Sequence, residues 1–530
     1  MALNNSGPLS FGGSTVGQSI NLELGVSATA TASINSTAFR TLAGVSSGQI
    51  SVSNFYGKSN GPRQWMAVTH PNQSASYPTR NFYDSSGNAY VAGAYTPSQV
   101  WQTFFQKWNA SNVSQFSNTY VPSSVGTSNS MGGRSFFDTS GNMYFYGLYY
   151  SAPNGTARIT KISSAGTSQW SNGIQSNLSF NYFKQTNPRG ISANSTSVIF
   201  TSAFLGAQQI GTNYCYCPPE PILQYTTLDF VSKYDPSSGA AQWTYNYNAF
   251  SSPFNYVIMQ GVAQLSTGEI VLAGGVSPPG GGGANKFSVI KLASDGSVSS
   301  AAYFNMTPFN SDQPAVEAVV DSANNLVYSG DAGNSGYFLT VQKINTSSGT
   351  PSLAWAKLIN CGVASGLNTY GVNVDPNNNV YVVGFGPLSG ATQSFICKFN
   401  SAGTLQFAQR IQANYPSGGA IIDINLRAVY ATSTTMYLSF TGLATGASYV
   451  QYNLAVPNDG SVTGVTTVNY PPTGSAGVTF TIANITPTVT NASLGSGTSF
   501  TPSRSTPSVN YPTAGITTSA WASQQAVANI

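Results

Sequence analysis

Charge is what this chain most lacks. Of its 530 residues only 6% are Asp, Glu, Lys or Arg, against a usual share of about 25%. The surface must therefore be built from Ser, Thr, Asn, Gly and Gln, without the repulsion that keeps densely charged proteins apart. A formal net charge of +4 spread over this length is no nucleic-acid footprint. Histidine occurs once, as His70, which makes a Ser-His-Asp triad or a multi-histidine metal centre hard to assemble. Four cysteines, Cys215, Cys217, Cys361 and Cys397, are too few and too scattered for a disulfide framework and fit synthesis in a reducing compartment. No apolar run reaches the roughly 18 residues of a membrane-spanning helix. The first 22 residues carry no charged side chain, so the basic start of a signal peptide is missing.

What is present is a repeat. The phrase Asp84-Ser85-Ser86-Gly87-Asn88-Ala89-Tyr90-Val91-Ala92-Gly93 returns, with variation, at starts 138, 193, 265, 321, 375 and 431. Its leading Asp can bond the backbone two residues on. The fourth position holds Gly87, Gly141, Gly268, Asn324 or Asn378, the residues that best tolerate a left-handed conformation. Each copy therefore reads as a tight turn feeding a buried, Tyr/Val-rich strand. The copies at 193 and 431 depart from this, with Thr196 and Thr434 at the turn position.

Three more segments accompany each phrase: a short run before it, a strand carrying Lys107, Lys161, Lys233, Lys291, Lys343 or Lys398, and an aromatic strand such as that of Trp170, Trp243, Trp355 or Phe407. Four strands repeated seven times predict an all-β fold, a seven-bladed β-propeller of four-stranded blades. The lysines are expected along an exposed strand face, and the Asp series is expected to be turn chemistry rather than a calcium loop. Trp65 is expected to close the ring beside residues 440–453, with 462–470 as the rival.

Outside the propeller, taken as 61–470, lie a small N-terminal β module (1–60) and an uncharged C-terminal extension (471–530). In the module, Ile20-Asn21-Leu22-Glu23-Leu24 alternates as a half-buried strand would. Further on stand Leu42-Ala43-Gly44, Ser47-Gly48, Ile50, Val52 and Phe55-Tyr56-Gly57-Lys58. This pattern resembles an N-terminal segment of virion proteins of tailed bacteriophages, particularly marine and cyanobacterial ones. The resemblance covers about a tenth of the chain and implies attachment to a particle, with those residues as the dock. The extension, where Arg504 is the one charged side chain, is expected to be ordered by lying on its own propeller or on a neighbouring subunit.

An insertion at 203–229 holds Cys215-Tyr216-Cys217 and is expected to project as a loop outside the strand ladder. Cys-x-Cys offers two thiolates and no nearby partners for a zinc set. A second excursion, the glycine-rich 277–285, reads as a flexible hairpin end. No cofactor, metal or catalytic residue is expected. Glycoside hydrolysis, needing two carboxylates, is the surviving enzymatic alternative, and its candidates are Glu220, Asp229, Asp235, Asp312, Glu317, Asp331 and Asp423. Aromatics make up 12% of the chain and can stack on sugar faces; Tyr149, Tyr150, Tyr214, Tyr216 and Tyr225, read as loop positions, are the candidate receptor contacts. The expected function is a structural component of a tailed-phage virion, a tail fibre, tail-tip or adaptor protein that contacts a host surface glycan. Its expected partners are other virion proteins through residues 1–60, copies of itself and host polysaccharide, with no nucleic acid and no membrane insertion. The alternatives are a capsid or tail-tube decoration protein, a propeller-fold carbohydrate-active enzyme and, disfavoured by the missing signal peptide, a bacterial adhesin.

Overall fold

The computed structural model describes residues 7–13, 18–23, 36–43 and 48–55 with isolated positions 3, 15, 27, 29, 31, 33 and 34. It then describes 65–71, 75–96 without 85, 102–109, 114–122, 129–130, 135–151, 154–176, 183–213, 220–248, 257–276, 286–304, 306–307, 317–331, 338–363 without 348, 366–388, 390–414, 421–443, 449–468, 478–491, 493–494, 498–499, 503–505, 509–510, 516–520 and 523–529.

The repeat folds as its punctuation dictates. In blade 1 the strands are Ala75–Tyr83, Ala89–Thr96, Gln102–Trp108 and Ser114–Pro122, each antiparallel to the next. Blades 2 to 6 repeat the order, ending with Asn368–Val374, Val380–Leu388, Ala391–Phe399 and Leu405–Asn414 in blade 6. The run before the phrase is the inner strand, and successive inner strands meet around a central channel. Blade 7 takes Ile424–Ala431, Thr435–Leu443 and Tyr449–Pro457 from the end of the ring and Trp65–Pro71 from its beginning. Trp65 pairs with Ala455 and Val68 with Tyr452, so the expected closure holds. The rival segment, Gly464–Val468, pairs instead with Val478–Asn484 at the edge of blade 6.

The turns bear out the Asp chemistry. Asp84 Oδ1 accepts the N–H groups of Ser86 and Asn88, both at 2.9 Å, while Oδ2 accepts Asn88 Nδ2 at 2.7 Å and the Tyr90 hydroxyl at 3.0 Å. Asp138 and Asp375 do the same with Tyr144 and Tyr381. Gly87, Gly141, Gly268, Asn324 and Asn378 all have positive φ. The two Asn side chains add a role that glycine cannot fill: Asn324 Oδ1 accepts Ser266 N–H, and Asn378 Oδ1 accepts Ser322 N–H, each from the preceding blade. The two divergent copies make turns one residue shorter, headed by Asn194 and Thr432, and need no left-handed residue.

The C-terminal extension lies on its own propeller as a belt. Val478–Asn484 adds an outer strand to blade 6, Thr488–Asn491 to blade 5, Thr498–Ser499 to blade 4, Ser503–Ser505 to blade 3 and Val509–Asn510 to blade 2. Ile516–Ala520 follows on blade 1, and Ser523–Asn529 lies on Trp65–Pro71 of blade 7. Each piece pairs antiparallel with the outermost strand, so part of the row of N–H and C=O groups that a fourth strand leaves open is covered in every blade, from two residues in blades 2 and 4 to seven in blade 7. Pro487, Pro502, Pro507 and Pro512 fall between the pieces, where a residue without an N–H interrupts no ladder. Arg504 sits 4.3 Å over the Tyr245 ring, anchoring the belt to blade 3.

Two expectations need correction. Among its described residues the N-terminal module is helical, not β: α1 (Ile20–Glu23) and α2 (Thr37–Ala43) are followed by a 3-10 turn at Val52–Phe55. Five alternating residues are too few to distinguish a strand from a helical turn, and Phe39, Leu42 and Ala43 recur at helical spacing to meet Ile20 and Phe55 in a small core. The insertion in blade 3 is not a loop outside the ladder: Val198–Asn213 and Glu220–Tyr234 stay paired along their length, from Val198 with Tyr234 to Asn213 with Glu220. Its β-branched residues extend the hairpin instead of leaving it. Cys215, Cys217 and the stretch 277–285 lie outside the described residues.

Candidate functional site

The inner strands share a distortion. A β-bulge interrupts them between Pro78 and Arg80, Pro188 and Gly190, Met259 and Gly261, Thr369 and Gly371, and Leu426 and Ala428. Bulges bend a strand and re-aim its side chains, and here four of the five are followed by Gly or Ala. Small residues let the strands close in: a Cβ on Gly261 would lie 2.8 Å from the Ala318 Cβ, and one on Gly371 3.2 Å from the Arg427 carbonyl oxygen.

The exception is Arg80, which reaches across the channel to form an ion pair with Glu317 of blade 5. Glu317 Oε2 also accepts the Val372 N–H of blade 6 at 2.9 Å. The Arg80 guanidinium stands 5.3 Å over the Phe136 ring of blade 2. One charge pair thus fastens four blades. Nearby, Arg427 of blade 7 lies 4.6 Å over Tyr370 and 5.6 Å over Phe385 of blade 6. The cavity left among Arg80, Ser135, Phe136, Gly190, Gly261 and Glu317 is about 30 Å³, room for about two waters. Small-molecule sites usually measure about 300–1,000 Å³, so this cavity is too small for a sugar ring.

The repeated lysines are half-buried or buried, not along an exposed face as expected. Lys161, Lys233, Lys343 and Lys398 work at the seams between blades, while Lys107 lies over Tyr90 and Lys291 pairs with Glu269 within their own blades. Lys161 Nζ and Trp170 Nε1 both donate to the Pro236 carbonyl, at 2.8 and 3.2 Å. Lys233 and Trp243 share the Ser294 carbonyl, and Lys343 and Trp355 that of Ser401. Each accepting turn belongs to the following blade. The same turns take the Tyr120 hydroxyl on Gly166 and the Tyr247 hydroxyl on Gly296, at 2.7 and 2.6 Å. Burial pushes the Tyr120 hydroxyl up to about 12, against a smaller opposing effect of Asn118. In blade 5 the position of Tyr90 is taken by Val327, and Lys343 fills the gap with an ion pair to Asp321 at 2.8 Å. Burial alone would raise the Asp321 carboxyl, but Lys343 and Asn325 outweigh it and hold it below its ordinary value.

No family model matches the chain, and no curated protein does. Among solved structures it is similar to a protein of unknown function from Dyadobacter fermentans, with TM-score 0.37 and 10% identity over 74% of this chain and 98% of that one. It is also similar to the endosialidase of phage phi92 (TM-score 0.33, 9% identity, 74% and 68% covered) and to the polysaccharide lyase Uly1 (0.33, 8%, 72% and 90%). Scores this low transfer no chemistry from those proteins to this chain.

The residues singled out from sequence fall in three places. Leu42, Ala43 and Phe55 are core of the N-terminal module, Ile50 packs against it, and Val52 is exposed; Gly44, Tyr56, Gly57 and Lys58 lie outside the described residues. Tyr149 and Tyr150 belong to the strand Met143–Ser151 and Tyr225 to Glu220–Tyr234, so they are ladder positions and not loop positions as read. Tyr214 and Tyr216 lie outside the described residues. Among the candidate carboxylates, Asp235 is held down to about 2 by hydrogen bonds from Ser237 and Ser238, and Asp423 accepts the Thr392 N–H. Asp312 lies outside the described residues, and Glu317 reaches the channel. Its partner Arg80 was missed, although a charge in the inner-strand run of so uncharged a chain was signal enough.

Proposed function

We propose that this protein is a non-catalytic structural component of a tailed-phage particle, standing in the tail as a fibre, tail-tip or adaptor protein. Residues 1–60 dock it to other virion proteins, and the sparsely charged propeller meets its neighbours and a host surface glycan. The observation that supports an architectural role best is the belt, which adds a strand to the outer edge of every blade. A ring with covered edges does not pair with stray strands, a property suited to a part crowded among copies. The narrow channel, filled by Arg80 and Glu317, points the same way.

Mass spectrometry of density-purified particles of the phage that encodes the chain tests this reading; the chain is expected in them at stoichiometric copy number, and its absence refutes the assignment. Deleting residues 1–58 is expected to leave a folded propeller that no longer joins particles, whereas normal incorporation would remove the docking role. Release of reducing ends from a host polysaccharide would replace the structural reading with the enzymatic one.

A further inference from the structure

Two of the four cysteines, 36 positions apart in sequence, are brought together at the seam of blades 5 and 6. Cys361 follows the outer strand of blade 5, Ser352–Asn360, in a turn where Asn360 Oδ1 accepts the Gly362 N–H at 2.7 Å. Cys397 lies in the third strand of blade 6, opposite Val382 and Ala408. Both are free thiols in one apolar cluster with Val341 and Ile359 of blade 5 and Val382 and Phe395 of blade 6. The two side chains are within hydrogen-bonding reach of each other.

We propose that Cys361 and Cys397 are a modification site, a thiol pair that a low-molecular-weight disulfide oxidises to a covalent link across the blade 5–blade 6 seam. Exposure sets the order of the steps: Cys361 is 7% exposed and Cys397 fully buried. The Cys361 thiolate attacks the reagent's S–S bond, forming a mixed disulfide and releasing one thiol. Cys397, deprotonated in turn, attacks the Cys361 sulfur and expels the second thiol, which takes up the proton. Two protein thiols are oxidised and one reagent disulfide is reduced to two thiols. Cys397 remains buried in the mixed disulfide, and burial disfavours its thiolate, so the second step is the slow one. Reducing conditions keep the pair open, and an oxidising exterior closes it. The inference does not depend on the chain belonging to a virion.

The test uses the full-length chain with Cys215→Ser and Cys217→Ser, treated with 2-hydroxyethyl disulfide, blocked with N-ethylmaleimide in urea and digested with trypsin. No Lys or Arg falls between Lys357 and Lys398, so both cysteines lie on one peptide, 358–398. The expected product is that peptide two hydrogens lighter than its dithiol form and free of maleimide. Cleavage before Asp375 should give two fragments still joined until dithiothreitol parts them, and the thermal midpoint should rise on oxidation and fall back on reduction. Cys361→Ser should carry no link and leave position 397 titratable once unfolded. Recovery of both cysteines as maleimide adducts, or as two separate mixed disulfides, overturns the proposal.

Discussion

Replacing Asp321 by Asn should cost blade 5 far more than the loss of one hydrogen bond. Asp321 Oδ1 caps its turn by accepting Ala323 and Asn325 N–H at 3.0 and 2.8 Å, and an Asn carbonyl oxygen keeps both bonds. What Asn cannot keep is the charge facing Lys343, 2.8 Å away, in a pair whose side chains are only 1% and 9% exposed. An ammonium left buried without its carboxylate typically costs about 3–5 kcal/mol. Because Lys343 retains the Ser401 carbonyl at 3.3 Å, the lower figure, about 3 kcal/mol, applies. Removing both charges with Asp321→Asn and Lys343→Met keeps the two backbone bonds on an apolar stem and loses the Asn325 Nδ2 bond to Oδ2, at a cost of about 1 kcal/mol. Urea unfolding should find the double variant about 2 kcal/mol more stable than Asp321→Asn alone, so that in a double-mutant cycle its loss falls well short of the sum of the two singles. If the double variant is as unstable as the sum of the singles, the buried-pair account of blade 5 is wrong. The pH dependence has a fixed sign. A carboxyl lower in the folded state than the ordinary 3.8 stabilises the fold above that value, and the contribution is lost as pH falls through the folded value. Wild type should therefore lose stability more steeply than the double variant on acidification below about pH 4, and parallel curves would count against the pair.

Three other perturbations test separate parts of the ring. Gly384→Ala places a Cβ 2.2 Å from the Asn368 carbonyl oxygen and 2.4 Å from Leu339 Cδ2, an overpacking expected to cost about 3 kcal/mol; an unchanged urea midpoint would contradict the close approach of blades 5 and 6. Glu317→Gln keeps an acceptor for Val372 but leaves Arg80 without its anion at 13% exposure. About 2 kcal/mol should be lost, less than a fully buried pair loses, and largely regained by Arg80→Met in the same chain, as thermal unfolding can check. Truncation after residue 470 uncovers an outer edge on every blade and should yield concentration-dependent oligomers by light scattering; a monomer as stable as the full chain would deny the belt its role.

The ring was legible because its turns repeat. Asp, Gly or Asn, and a Tyr/Val run at fixed offsets carry a mechanism that survives a diverged sequence, and even the defective copies, at Asn194 and Thr432, differ only by a shortened turn. The belt's path was not legible: beyond the alternating Val478–Asn484, its pieces are two to seven residues long with Arg504 as their one charge, and they are specified by the edges they cover and not by their own pattern. The N-terminal module misled for a similar reason, since Ile20–Glu23 is one helical turn and too short for a period to appear. The Arg80–Glu317 pair joins strands more than two hundred residues apart in the chain, and only closure of the ring makes them neighbours. The lysines were read at the right register but on the wrong face, because their acceptors are carbonyls of the next blade, invisible to side-chain pattern.

The belt visits the blades in descending order, from the sixth back to the first, before its last strand settles on Trp65–Pro71. Vectorial synthesis therefore delivers every landing place before the segment that needs it, and the last strand of the belt seals the first strand of the ring. A polypeptide that lacks residues 523–529 retains Trp65–Pro71 as an open border, so that last strand decides whether the seventh blade keeps a free edge.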